Sequence, residues 1–293
     1  MDLRCCVSDE EYEAWRAVRL AVLPEERCLT VAEMREQDSA DRLLLLGVKD
    51  GDVVGSGIAD RSDTAGAGFV APRVMPQHRR MGVGSALLRA LTEHCNGLGL
   101  TTVVSSVDDE GSMAFAERHG FVEVDREVEQ VRAVGDEPAP TGLPADVEVI
   151  EASQRPDLWA ACFDTFGREA LADFALYSPL EITAEQWNTT WRGDLIFLAL
   201  SDGEVIGCAG LNRDTERPAR AENALTAVRR TWRGRGIATY LKRRTLHWAA
   251  LNGLDEIYTW TQVTNTPMRR LNEHLGYVTT RNSVTVSRTG SYQ

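Results

Sequence analysis

Long apolar runs are missing from this chain. No stretch approaches the roughly 18 residues that a helix needs to cross a bilayer, so no membrane partner is expected. The opening MDLRCCVSDEEYEAW has no basic start followed by an apolar segment. A secretory leader is therefore not expected, and the cytoplasm is the expected compartment. Metal-ligand spacing is missing too. Cys5, Cys6, Cys28, Cys95, Cys162 and Cys208 form no C-x-x-C pair and no Cys/His cluster. Free thiols and no bound metal are expected. Positive charge is in deficit, with 32 Lys and Arg against 44 Asp and Glu and a net charge of -12. Nucleic acid is thereby excluded as the main partner, because a phosphate backbone calls for a basic surface. His78, His94, His119, His247 and His274 are dispersed and read as surface or helix-face residues.

What is present is ordinary globular composition, 43% apolar and 26% charged, over 293 residues. That length suits two domains of about 145 residues better than one. The chain also repeats itself. Asp50-Gly-Asp-Val-Val-Gly55 returns as Asp202-Gly-Glu-Val-Ile-Gly207, an offset of 152. Arg79-Arg-Met-Gly-Val-Gly84 returns as Arg233-Gly-Arg-Gly-Ile-Ala238, an offset of 154. His119-Gly120-Phe121 returns as Leu275-Gly276-Tyr277, an offset of 156. Three matches in the same order at nearly constant offset point to duplication. Gly135 to Pro144 holds three prolines and two glycines, which neither a helix nor a central strand accommodates. The expected division is a unit over 1–134, a linker over 135–145 and a second unit over 146–293.

Each unit reads as a mixed α/β domain rather than an alternating parallel one. Amphipathic helices are expected over Asp9 to Val22 and Leu158 to Leu171, with second helices over Val31 to Glu36 and Ala184 to Trp191. An Asp-Gly turn then joins two apolar runs in each unit, a strong hairpin signal. Strands over Gly68 to Val74 and Ala221 to Val228 lead into glycine loops, and long helices follow from Gly82 and Gly236. A further strand, a short helix ending at Gly120 or Gly276, and closing strands complete each unit. Trp159, Phe163, Phe166, Phe174, Tyr177, Trp187 and Trp191 crowd the opening helices of the second unit, and the 159/163/166 spacing is that of a core stripe.

The strand–glycine loop–helix segments carry the chemistry. Glycine lets the backbone turn tightly, and the first N–H groups of the following helix have no internal partner. With the helix dipole they make an anion site suited to a pyrophosphate. There is no G-x-x-x-x-G-K-[ST], which excludes a P-loop, and no third glycine completes a dinucleotide fingerprint. Seven basic residues lie between Arg229 and Arg244, a patch that on an acidic protein reads either as a site for a small anion or as a solvated helix face.

The two loops, Val74-Met-Pro-Gln-His-Arg-Arg-Met-Gly-Val-Gly84 and Val228-Arg-Arg-Thr-Trp-Arg-Gly-Arg-Gly-Ile-Ala238, resemble the acetyl-CoA loop of the GNAT acyltransferases, Q/R-x-x-G-x-G/A. The Asn265 to Tyr277 segment resembles that family's Asn-led helix ending in Gly-aromatic. The resemblance implies two tandem GNAT folds with acetyl-CoA as co-substrate. It implies that Ala227, Val228, Arg233, Gly234, Arg235, Gly236, Ile237, Ala238 and Asn265 hold CoA in the second unit. In the first, the matching residues are Val74, Arg79, Arg80, Gly82, Val83 and Gly84. It gives the Val228 N–H an oxyanion-type role at the thioester carbonyl.

The family's usual Tyr, four residues before the terminal Gly, protonates the departing thiolate. Ala116 and Asn272 stand there, and neither is an ordinary acid. Tyr258 is a candidate substitute, against a reading as core. Glu222 is the candidate general base, against a reading as a solvent-facing strand residue. Thr226 is expected on the face of Glu222 by strand alternation. Asp109, where the second unit has Asn265, and the lack of a strand carboxylate mark the first unit as the degenerate copy. The expected activity is acetyl transfer to an amine of a small molecule or peptide, by a monomer or homodimer. The alternative is a non-catalytic CoA-binding sensor or scaffold.

Overall fold

The computed structural model describes residues 1–174, 180–189 and 191–290, with only the backbone of Phe174; Tyr177 lies outside the described residues. Two compact units are present. One comprises Met1–Asp125 together with Ser283–Gln293, the other Arg126–Asn282.

The first unit contains β1 (Asp2–Cys5), α1 (Asp9–Val22), α2 (Val31–Glu36), β2 (Leu43–Lys49), β3 (Asp52–Arg61), β4 (Ala67–Val74), α3 (Val83–Gly97), β5 (Thr102–Val107) and α4 (Glu110–Arg118). It ends with the start of β6 (Val122–Ala133), which finishes in the second unit. The second unit continues with β7 (Glu148–Glu151), α5 (Pro156–Ala161), α6 (Arg168–Phe174), α7 (Ala184–Thr189), β8 (Leu195–Ser201), β9 (Glu204–Arg213), β10 (Arg220–Val228), α8 (Ile237–Leu251), β11 (Glu256–Gln262) and α9 (Thr266–His274). It closes with the start of β12 (Val278–Thr289).

Local chemistry accounts for most boundaries. Ser8 with Glu11 and Thr30 with Glu33 form capping boxes that start α1 and α2. The hairpins turn at Asp50-Gly51 and Asp202-Gly203, all four residues at positive φ, as a tight right-twisted hairpin requires. One expected helix is interrupted. The segment over 158–171 runs as α5, a π-helical turn at Phe163–Gly167, and α6. Gly167 ends that turn in close packing, where a Cβ would stand 3.0 Å from the Phe163 ring and 3.3 Å from that of Trp187.

The closing strands depart from the sequence-based division. In the first unit the strand beside β5 is β12, antiparallel from Val284↔Val107 to Thr289↔Thr102. In the second the strand beside β11 is β6, antiparallel from Glu256↔Ala133 to Gln262↔Glu127. Each repeat therefore donates its last strand to the other unit. The division at 135–145 gives way to units of 1–125 with 283–293 and of 126–282. Separate expression of 1–134 and 146–293 is accordingly expected to give two unstable pieces that regain a cooperative unfolding transition when co-expressed. A half that is monomeric and equally stable alone would show that each repeat's own strand can fill the vacancy.

Each unit buries both faces of its sheet. In the first, Leu87 and Leu91 of α3 share a core with Val103 of β5, and Tyr12, Trp15 and Met34 cover the opposite face. In the second, Leu241 and Leu246 of α8 share a core with Ile257 of β11, and Trp159, Phe163, Phe166 and Trp187 lie on the other side. Trp159 and Trp187 stack with centroids 4.1 Å apart. Each indole N–H donates to the other residue's carbonyl, at 3.0 and 2.8 Å. The aromatic crowding at Trp159, Phe163, Phe166 and Trp187 is thus core.

Candidate functional site

Both units build the same fork. β4 and β5 run parallel and pair only over Ala67↔Thr102 to Phe69↔Val104; β10 and β11 pair only over Arg220↔Glu256 to Glu222↔Tyr258. Beyond those points the strands separate. Met75 N–H bonds the Val54 carbonyl at 3.0 Å and Arg229 N–H bonds that of Ile206 at 2.8 Å. Successive strand N–H groups point to opposite edges. The Val74 and Val228 amides therefore face into their forks.

The loops end at helix N-termini left open. Ser8, Thr30, Asp109 and Asn265 cap α1, α2, α4 and α9 with side-chain oxygens, whereas α3 and α8 have no side-chain cap. Their N-cap residues are Gly82 and Gly236, at φ 83° and 78°. A Cβ on either glycine would meet nothing within 4 Å, so conformation and not crowding demands glycine, and the space before the amides is clear. Gly234 has φ 75°, and its counterpart Arg80 takes φ 64°, so the loops share one backbone course at some strain cost to the first. Arg79 Nε and Arg233 Nε donate back to the Val74 and Val228 carbonyls, at 3.4 and 2.9 Å. Clear amides at an uncapped, positively polarised helix end fit a pyrophosphate.

The forks differ in their strands. β10 carries a bulge: Asn223 pairs with Leu211 and Thr226 with Ala209, so two residues, Ala224 and Leu225, lie opposite the single Gly210 of β9. β4 pairs with β3 without a shift from Arg61↔Gly68 to Gly55↔Val74. The bulge reverses the expected alternation. Leu211 and Ala209 share a face, so Thr226 shares the α8 face with Asn223, and Glu222 lies on the opposite face. Thr226 Oγ1 is buried and has no hydrogen-bond partner among the described residues. In the first unit Pro72 occupies the register position of Thr226. Two residues before Val74, its nitrogen lies on the fork edge and has no proton to offer a ligand.

The remaining sequence-predicted residues are placed as follows. Glu222 sits half-buried at the fork point beside Tyr258. Tyr258 is 2% exposed, and its ring lies 3.9 Å beneath the Arg220 guanidinium. Arg220 in turn bonds Glu129 at 3.2 Å and Glu256 at 2.6 Å, which ties Tyr258 into a wall of ion pairs. Asn272 is fully buried, its Nδ2 donating to Gln130 at 2.9 Å and Thr261 at 3.3 Å. Asn265 accepts the Met268 N–H as N-cap, so a ligand would meet its Nδ2. Asp109 caps α4 in the same way. Burial opposes its ionisation, but the Ser112 bonds and the Arg79 charge hold its carboxyl below the usual range.

Sequence reasoning missed a clasp on the second loop. Asp173, on α6, pairs with Arg230 at 2.7 Å and also with Arg233, while Glu169 accepts the Arg230 backbone N–H at 2.5 Å. Burial would raise the Asp173 pKa, but the two arginines hold it below its usual range. Two carboxylates thus engage the arginines of the second glycine loop, where they would compete with an anionic ligand. Asp173→Asn is expected to tighten CoA binding at this loop by about three- to tenfold, read by calorimetry at low salt; unchanged affinity would show the clasp to be electrostatically silent.

It also missed how open the first fork is. A cavity of about 590 Å³ there is lined by Arg73, Arg79, Gly82, Ser85, Ser105 and Asp109, among others. Among the described residues no group of His, Cys, Asp and Glu is arranged to hold a metal ion. No described helix is long and apolar enough to cross a membrane.

A forked mixed sheet with an uncapped glycine-loop helix at the fork is thus built twice, the tandem acyltransferase fold that the sequence resemblance implies. The acetyltransferase (GNAT) family model matches residues 7–121 and again 158–277, and the chain belongs to that family. It is 27% identical over 228 residues to a mycothiol acetyltransferase of Brachybacterium faecium, matching 72% of this chain and 65% of that protein's length. It is 29% identical over 263 residues to the mycothiol acetyltransferase of Thermomonospora curvata, matching 88% of this chain and 84% of the relative. Among solved structures, a tandem GNAT protein from the clavulanic acid biosynthesis pathway superposes with a TM-score of 0.76 at 19% identity, over 98% of each chain.

Proposed function

We propose that the chain is an N-acetyltransferase that moves the acetyl group of acetyl-CoA to an amine, with the second unit as the transferring copy. The observation that carries this reading is the Val228 amide directed into a bulged fork that ends at an open helix N-terminus. A CoA thioester supplies the acyl group. The amides of Arg233 to Ala238 would hold the pyrophosphate, and Val228 N–H would donate to the carbonyl oxygen as charge develops there. Glu222, on the face opposite α8, would take the proton of the attacking amine. Neither Ala116 nor Asn272 can give a proton to the departing thiolate, so that proton comes from solvent or another group. Two relatives named mycothiol acetyltransferase support a small-molecule amine as acceptor.

The missing hydroxyl at Asn272 also favours a second reading, a CoA-binding sensor or scaffold without turnover. CoA release measured against a panel of amines separates the two. Release above background with any acceptor rejects the sensor, and none with any acceptor rejects the enzyme. Once an acceptor is found, Glu222→Gln is expected to lower kcat/KM by roughly 10²-fold, the usual scale for a lost general base. A loss under about threefold would place proton removal elsewhere.

A further inference from the structure

The first fork contains cations that the phosphate loop does not explain. Arg73 ends β4 beside Val74 and lines the cavity. Its guanidinium lies 5.5 Å from the centre of the Trp15 ring, on the α1 side of the sheet. Its Nη1 is buried and has no hydrogen-bond partner among the described residues. Arg19, in the last turn of α1, is close enough for its charge to act on Arg73, and burial and that neighbour together push the Arg73 pKa down to about 10. Arg19 Nη2 pairs with Glu26 at 3.2 Å, but its Nη1 is also buried and without a partner among the described residues. Val22, one turn beyond Arg19, lines the same cavity.

Two guanidiniums with idle buried donors share one bonded carboxylate. Buried donors are normally satisfied, and a planar guanidinium matches a carboxylate best. Arg73 pairs with Ser56 in its ladder as Ala227 pairs with Cys208, so the matching position in the second unit is a methyl group. The cavity is therefore lined by cations of two origins: Arg79 and Arg80 beside the α3 amides, and Arg73, on which the charge of Arg19 acts.

We propose that the first unit binds a ligand with a carboxylate at its reacting end, held by Arg73 and Arg19. Two sources offer that chemistry: the acyl chain of a dicarboxylic acyl-CoA, or the carboxylate of an amino-acid-like acceptor. The proposal rests on the reading of the glycine loops as CoA sites.

The test uses the full chain carrying Gly236→Asp, which leaves the first loop as the one intact. Calorimetry compares succinyl-CoA with butyryl-CoA, of equal carbon count but without the carboxylate, and with acetyl-CoA. A second arm compares glycine with methylamine, each with CoA present. For an acyl carboxylate, succinyl-CoA is expected to bind about tenfold or more tighter than butyryl-CoA, and Arg73→Leu to reduce that ratio to within about twofold. For an acceptor carboxylate, glycine binds, methylamine does not, and Arg73→Leu removes the difference. Arg73→Lys, which retains the charge, is expected to keep part of either preference and guards against a folding artefact. Equal binding within each pair, or a preference surviving both Arg73→Leu and Arg19→Leu, overturns the carboxylate site alone. Failure of every thioester to bind overturns the CoA reading of this loop together with it.

Discussion

Arg233→Ala combined with Gly236→Asp is expected to abolish turnover, while Arg79→Ala combined with Gly82→Asp leaves most of it. At Gly236 the backbone sits at φ 78° with clear space before the first amides of α8. An aspartate there puts a negative charge where the pyrophosphate would bind and strains the loop, an effect of several kcal/mol, or roughly 10²- to 10⁴-fold in affinity. Losing Arg233 also removes the donor to the Val228 carbonyl, at 2.9 Å. The first-unit pair makes the same change in a fork where Pro72 and an unbulged strand offer one fewer donor. Steady-state rates and CoA binding for both double variants decide the matter. If the first-unit pair kills activity and the second-unit pair spares it, the working copy is reversed.

Lys242→Met is expected to make the protein more stable and slower. Lys242 is 1% exposed on α8, and its Nζ donates to Asn223 Oδ1 at 3.0 Å. Tyr277 donates to the same oxygen at 2.7 Å, and Asn223 Nδ2 reaches the Gly210 carbonyl at 3.2 Å. Burial pushes the lysine from its ordinary 10.5 down to about 7. A base with a depressed folded pKa costs stability fully below that pKa, where both states are charged. The cost shrinks as pH rises and is gone near 10.5. Net of the lost bond to Asn223, the gain from Lys242→Met is therefore expected to be on the order of a few kcal/mol at pH 6 and to shrink clearly by pH 9. Urea unfolding at the two pH values checks it, and a gain independent of pH would mean that the amine is not buried as a titrating group.

The slower rate follows from the bulge. Val70, Leu88 and Phe121 stand in the first unit where Asn223, Lys242 and Tyr277 stand in the second, all three apolar and buried beside an unbulged strand. The polar trio thus anchors the residue at which β10 departs from its ladder. Loss of the amine is expected to lower kcat about tenfold with little change in KM for acetyl-CoA, because the loop amides are untouched.

Much of this site was legible in the chain because its signals are local. A left-handed N-cap calls for glycine whatever surrounds it, so Gly82 and Gly236 announce the loops, and Asp-Gly announces the hairpins that precede them. Glu222 was picked out as a strand carboxylate, and it stands at the fork. The face of Thr226 was misread because a bulge changes the count of residues and leaves no compositional mark. The clasp of Asp173 on Arg230 and Arg233 joins residues about 60 positions apart, and the Arg19–Arg73 pair joins α1 to β4. No spacing rule reaches across such distances.

By itself, the sequence determined that there are two copies of one mixed α/β unit, where each glycine loop lies and which helices follow, since turn chemistry and periodicity act over a few residues. The tertiary structure alone decided which strand closes each sheet. β6 and β12 are both amphipathic closing strands, and edge hydrogen bonds are the same whichever repeat supplies them. Exchange is settled by the path of the chain after Gly120 and Gly276, and so by packing that no local signal records.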